Sequence, residues 1–134
     1  MRNFFKFGFL AVVLGLALSL AGCSKSPEDV SVEVTKILFS KDGKGSDVMK
    51  YIAIPKDAEA ANIEMVEGKM NQVIMNSQNK AETRKGVESI TAQKAQINGD
   101  KAIVPITITF KDGSKEEDEY NLSKIDGDWK LELK

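Results

Sequence analysis

The chain has 134 residues, with 19 lysines and arginines against 20 aspartates and glutamates, for a net charge of −1. It holds no histidine and a single cysteine, Cys23, which excludes histidine-based zinc sites, Ser-His-Asp triads, histidine acid–base chemistry and any disulfide within the chain. The near-neutral balance also gives no basic footprint for nucleic acid and no polybasic membrane patch.

Arg2 and Lys6 lead into an apolar run, Phe7 to Leu20, that gives way to Ala21, Gly22 and then Cys23. A basic head, a short apolar middle and a small-residue exit read as a secretory signal. The run is too short to span a membrane, which takes roughly 20 apolar residues. The order Leu20-Ala21-Gly22-Cys23 resembles the lipobox of bacterial lipoproteins. That resemblance implies removal of residues 1–22, acylation of Cys23 and a membrane anchor made of lipid. Residues 23–26 then form a lipidated tether and 27–134 a single domain. The resemblance also implies an address in the bacterial cell envelope. Ser24 follows the cysteine in place of the aspartate that retains such proteins at an inner membrane. The expected site is therefore the outer membrane, facing the periplasm, in a cell with two membranes, and the outer face of the cell membrane in a cell with one.

Ser26-Pro27-Glu28-Asp29 reads as a helix start, with a serine cap, proline in the first turn and acids at the positive helix end. Val30, Val34, Ile37 and Leu38 continue it at helical spacing to near Ser40. Gly43 and Gly45 mark a loop, Ser46 opens a short second helix through Val48, Met49 and Tyr51, and Pro55 ends what precedes it. The spacing predicts a long third helix over Ala58 to Asn79, capped by Asp57, with Ile63, Val66, Met70, Val73, Ile74 and Ser77 as its buried stripe. Gly68 inside it predicts a close contact or a local bend.

Beyond Arg84 the apolar period becomes 2. Asn98-Gly99, Asp112-Gly113 and Asp126-Gly127 are turn dipeptides at equal spacing, and they predict a four-stranded antiparallel meander. Ala102, Val104, Ile106, Ile108 and Phe110 share one face, while Ile103, Pro105, Thr107 and Thr109 share the other. An odd loop, Asp112-Gly113-Ser114, brings Tyr120 and Leu122 onto the inner face. A two-residue Asp126-Gly127 turn sets Leu122 opposite Leu131 and Lys124 opposite Trp129, with Leu133 completing the buried face. Pro105 lacks an N–H, so the ladder is bulged there or the neighbouring strand has left it. The first strand has two registers: one turns Ser89, Thr91 and Gln93 inward, the other Ile90 and Ala92.

Three helices followed by a twisted antiparallel sheet make an α+β order: three N-terminal helices packed on a four-stranded curved sheet, a cone-shaped roll. It resembles the nuclear-transport-factor-two-like (cystatin-like) superfamily. More closely, it is similar to small bacterial lipoproteins carrying the domain of unknown function 4878. The residues that carry this are Ser26-Pro27-Glu28-Asp29-Val30, Ile97-Asn98-Gly99-Asp100-Lys101-Ala102, the strand Ile106 to Ser114, and Asp126-Gly127-Asp128-Trp129-Lys130-Leu131. The family implies no settled activity.

A cone of this kind can enclose a pocket. Its candidate lining is Ser89, Thr91, Gln93, Phe110, Tyr120 and Trp129 from the sheet and Met70 from the long helix. Plain core packing explains the apolar members without any pocket. Asp118 and Tyr120, two apart on one strand face, are the pair an isomerase- or dehydratase-like enzyme would use. Along Glu116-Glu117-Asp118-Glu119 only alternate residues share a face, so a shared cation would need Glu116 with Asp118 or Glu117 with Glu119. The leading expectation is a non-catalytic envelope domain binding a small apolar ligand or another envelope protein, with no metal and no cofactor. A homodimer through the outer sheet face, at Ile103, Thr107 and Thr109, is the structural alternative.

Overall fold

The structure, a computed structural model, describes residues 25–133. Leu20, Ala21, Gly22 and Cys23, with the leader and acylation readings that rest on them, lie outside the described residues.

Three helices come first: α1 (Pro27–Phe39), α2 (Gly45–Met49) and α3 (Ala60–Thr83). The strands follow as β1 (Val87–Ala92), β2 (Gln96–Asn98), β3 (Lys101–Phe110), β4 (Lys115–Ile125) and β5 (Asp128–Leu131). The sheet order is β1-β3-β4-β5, and β2 pairs with β3 as the second half of the first strand. This is the expected three helices packed on a curled four-stranded antiparallel sheet.

Local chemistry fixes the helix ends. The Ser26 side chain accepts from the Asp29 amide at 3.1 Å, capping α1 as its sequence predicts. Gly43 sits so close to α1 that an added Cβ would lie 2.1 Å from the Ile37 carbonyl oxygen, so no other residue fits without moving the backbone. The first amide of α2, at Gly45, donates to the Asn71 side chain of α3 at 2.7 Å. Helix α3 starts at Ala60 and runs four residues past the expected end, to Thr83. Its cap residue is Glu59, not Asp57, and it caps without a side-chain hydrogen bond. Gly68 meets nothing within 4 Å of where a Cβ would stand, so no close contact accounts for it.

Packing uses the inner faces. Ala102, Val104, Ile106, Ile108 and Phe110 are all at most 2 % exposed and meet Val30 and Val34 of α1 with Met70 and Ile74 of α3. Fully burying a side chain such as Phe110 stabilises by about 1.5–3 kcal/mol. The α3 stripe is only partly covered: Ile63 in the first turn and Val73 near the middle are exposed, contrary to expectation. Leu133 is also exposed, because the β5 ladder ends at Leu131.

The register carries two corrections. The middle loop is odd in length, as expected, but consists of Lys111-Asp112-Gly113, with Phe110 N–H donating to Ser114 O at 2.8 Å. Tyr120 and Leu122 therefore reach the inner face opposite Val104 and Ala102, while Asp118 and Glu116 stand opposite Ile106 and Ile108. On the first strand, β2 pairs with β3 around a two-residue Gly99-Asp100 turn, Asn98 facing Lys101. Three residues, 93–95, then face only Val104 and Pro105 before pairing resumes with Ala92 opposite Ile106. That bulge flips the side-chain parity. Ile90 and Ala92 face in; Ser89, Thr91 and Gln93 are exposed, and the register that turned them inward is overturned.

The bulge has a physical cause. Pro105 offers a carbonyl, which accepts from Gln93 N–H at 2.9 Å, but no N–H in return. The displaced Ala95 amide, buried in the core, finds its acceptor on α1, where Glu28 Oε2 lies 2.9 Å away.

Candidate ligand cleft at the cone mouth

The expected pocket lining does not come together. Phe110, Met70 and Trp129 are buried in the core, and Tyr120 is half-buried with its hydroxyl 2.9 Å from Thr35 Oγ1. Ser89, Thr91 and Gln93 are exposed. The concave sheet face is filled by its own side chains and those of α1 and α3.

One end of the cone is closed by rings. Phe39, the last residue of α1, meets Phe110 edge-on, with ring centroids 5.8 Å apart at 68°. The Arg84 guanidinium lies over the Phe110 ring, 4.9 Å from its centroid, a stacked cation–π contact. Outside this plug the ends of α1, α3 and β1 splay apart and leave an open cleft of about 680 Å³. Phe39, Ala81 and Val87 supply its apolar surface, while Lys41, Glu82 and Lys85 stand around it. Gln78 braces one wall by donating to the Ser40 carbonyl at 2.6 Å. Lys85 is left-handed, at φ 70, where a side-chain-bearing residue is strained. Neither Lys41 nor Lys85 joins an ion pair among the described residues. Sequence pattern carries no sign of this cleft, because the end of α1 meets the α3–β1 junction only in the folded chain.

The acidic strand end serves other partners. Glu116 accepts from Lys80 of α3 at 2.8 Å, a half-exposed ion pair tying helix to sheet. Asp118 is exposed, and its carboxylate accepts from the Glu119 amide at 2.8 Å. The Tyr120 hydroxyl is engaged with Thr35, so the two members of the expected acid–base pair are held by different partners. Glu117, Asp118 and Glu119 border a shallower groove with Gln93, Pro105 and Thr107 beside the bulge. Among the described residues no three carboxylate, thiol or imidazole groups gather in a cation-binding arrangement.

Sequence reading passed over one polar cluster. On the outer sheet face Lys101 Nζ donates to Ser123 Oγ at 2.8 Å, and the Glu132 carboxylate contacts both Lys101 and the Ser123 hydroxyl. Ile103, Thr107 and Thr109 also lie on that face, with Ile103 exposed and the two threonines half-buried.

Three helices laid on a curled antiparallel sheet, its concave face filled and one end plugged by rings, define an NTF2-like α+β cone. The chain belongs to the family described as "Domain of unknown function (DUF4878)", whose pattern matches residues 21–132. Among solved structures it is similar to one described as "Putative NTF2-like transpeptidase" from Campylobacter jejuni, at 29 % identity and TM-score 0.75, over 82 % of this chain and 100 % of that one. A de novo designed NTF2-fold protein, NT-9, aligns at 14 % identity and TM-score 0.46, over 79 % of this chain and 81 % of that one. A designed protein with a curved β-sheet aligns at 18 % identity and TM-score 0.40, over 82 % and 88 %. No curated protein matches the chain.

Proposed function

We propose that this chain is a lipid-anchored domain of the bacterial cell envelope that performs no catalysis and binds a small apolar ligand carrying an acidic group. One observation supports this above others: the 680 Å³ cleft, with Phe39, Ala81 and Val87 for an apolar body and the lysines Lys41 and Lys85 for a carboxylate or phosphate. Its volume suits a molecule of a few hundred daltons, within the usual range of roughly 300–1,000 Å³. The lipobox-like Leu20-Ala21-Gly22-Cys23 supports the anchor and the address.

Native mass spectrometry of the protein purified from its own host tests the ligand. A released acidic molecule that fails to copurify with a Lys41→Ser, Lys85→Gly double variant is expected. Bare protein from the host, or identical loading of the variant, rejects this reading. Loss of membrane attachment in Cys23→Ser tests the anchor separately.

The description of the Campylobacter jejuni neighbour raises a second reading, acyl transfer, and the Lys101–Ser123 contact is the observation that favours it. A serine nucleophile needs a base to take its proton. Here Lys101 is ion-paired to Glu132, whose carboxylate also holds the Ser123 hydroxyl, and Ser123 is only 9 % exposed within a strand. An acylating serine probe should leave the wild type unmarked. Labelling that disappears in Ser123→Ala would establish the enzyme instead.

A further inference from the structure

The fold gathers lysines that the sequence scatters. Lys25, Lys50 and Lys130 line a small cleft of about 230 Å³ with Val30, Tyr51 and Trp129. Lys25 and Lys50 each hold their ammonium 5.5 Å from the Tyr51 ring centroid, and Lys25 also lies 3.4 Å from the Tyr51 hydroxyl. A fourth lysine, Lys124, lies 5.7 Å from the Trp129 ring centroid. Lys130 donates to the Lys50 carbonyl at 2.6 Å, which joins β5 to the end of α2. Asp128 is the carboxylate among the residues lining this cleft. Next to it Lys56 is paired with Asp126 at 3.3 Å, and on the α1 side Asp29, Glu33 and Lys36 share a separate groove with Lys25. Four cations thus surround two aromatic rings with Asp128 among them and Asp126, Asp29 and Glu33 at the margins, in a chain whose net charge is −1.

Position gives this patch its partner. Lys25 is two residues after Cys23, so an acyl chain on that cysteine would hold the patch against the membrane surface. We propose that Lys25, Lys50, Lys124 and Lys130 form a docking surface for anionic lipid headgroups. The inference rests on the anchor reading above. Cationic side chains beside a charged leaflet interact with it within a Debye length, and a two-residue spacer keeps them there. Lysine ammonium groups suit headgroup phosphates as point charges, and the half-buried Tyr51 ring suits the headgroup layer.

Docking in this way also sets the direction of the ligand cleft. The lysines stand at the first turn of α1, whereas the cleft begins at Phe39, its last residue. The helix has 13 residues, about 20 Å at 1.5 Å per residue. With the lysine end on the membrane, the cleft mouth points away from it, open to soluble ligands.

The test is hydrogen exchange on the full chain attached to vesicles through Cys23. One arm carries the acyl groups added by the host. In the other, the chain's single cysteine is coupled to a maleimide lipid, so attachment no longer depends on natural acylation. On vesicles containing phosphatidylglycerol, amides of 48–53 and 128–131 should exchange roughly tenfold more slowly than on pure phosphatidylcholine. High salt should remove that protection, as should a Lys25→Gln, Lys50→Gln, Lys124→Gln, Lys130→Gln variant. Amides of 78–87 should not change. Equal exchange on both vesicle types in the maleimide arm, or protection at 78–87 in place of the lysine end, overturns the proposal. Failure of only the host-acylated arm to attach would overturn the anchor reading and leave the lysine surface standing. The salt response of the wild type decides the matter if the quadruple variant does not fold.

Discussion

Thr35 Oγ1 and the Tyr120 hydroxyl lie 2.9 Å apart, and the direction of their hydrogen bond is fixed by a third atom. Thr35 Oγ1 donates its one proton to the Ser31 carbonyl at 2.7 Å, four residues back along α1. Tyr120 must therefore be the donor. Burial pushes its phenol up to about 12, and the carboxylates of Asp118 and Glu116 on the same strand face push the same way. The Thr35 contact pulls the other way, since a hydroxyl turned toward the phenolate would favour the charged form, and burial outweighs it.

Stability should accordingly fall at high pH through this one group. Below pH 10 the phenol is protonated in both folded and unfolded chains, and the shift has no effect. Between pH 10 and about 12 the unfolded chain releases the proton while the folded one holds it, so folding weakens as pH rises. The full loss is about 3 kcal/mol by the usual 1.36 kcal/mol per unit. Urea midpoints of wild type and Tyr120→Phe, compared at pH 9 and pH 12, isolate it from the lysines. The variant should cost about 1 kcal/mol at pH 9, and the gap should shrink or reverse at pH 12. A gap independent of pH would refute the assignment.

Glu28 is expected to hold the bulge. Replacing it with Ala strands the buried Ala95 amide and should destabilise the fold by about 1–3 kcal/mol. Glu28→Gln keeps an acceptor oxygen and should recover most of that loss. Exchange of the Ala95 amide, followed by NMR, should speed up in the first variant and far less in the second.

Gly68 should be replaceable at a profit. It lies inside α3 with open space where a side chain would stand, so Gly68→Ala should stabilise by about 1 kcal/mol. A rise in thermal midpoint checks this, and a fall would mean that the glycine has a partner or a bend to serve.

Lys85 separates folding from binding. Its backbone is left-handed, so Lys85→Gly should relieve strain and raise stability by about 1 kcal/mol. The same change removes a cation from the cleft and should weaken retention of an acidic ligand. Chemical denaturation and ligand content measured on one preparation test both halves. Lower stability would place the Lys85 side chain among the contacts that hold the fold.

Turn chemistry explains why so much of the sheet could be read from the sequence. Asp126 and Gly127 both adopt positive φ, 52° and 88°, the pattern a two-residue hairpin demands. The expected pairings of Leu122 with Leu131 and Lys124 with Trp129 follow from it. Parity at Tyr120 was legible for the same reason, although the loop sits one residue earlier and so shifts the partners by two. The first strand resisted because its parity depends on a bulge whose buried amide is satisfied by Glu28, a residue on another element. Proline at 105 announced an irregularity, but local pattern could not choose between inserting a residue and parting the strands. The cleft was illegible for a related reason. Periodicity reports which face of an element is buried, and carries no information on where the ends of three elements will diverge.

Ile52 pairs in parallel with Leu131, and Ala53 N–H and Tyr51 O bond the same residue, so the β5 margin of the sheet is already taken. A fibril grows by adding strands at two opposite borders. Here the chain's own 51–53 segment occupies one of them, so strand-by-strand recruitment of further copies stops at a pair. Molecules crowded together at high local concentration would gain protection from runaway polymerisation by that short splice.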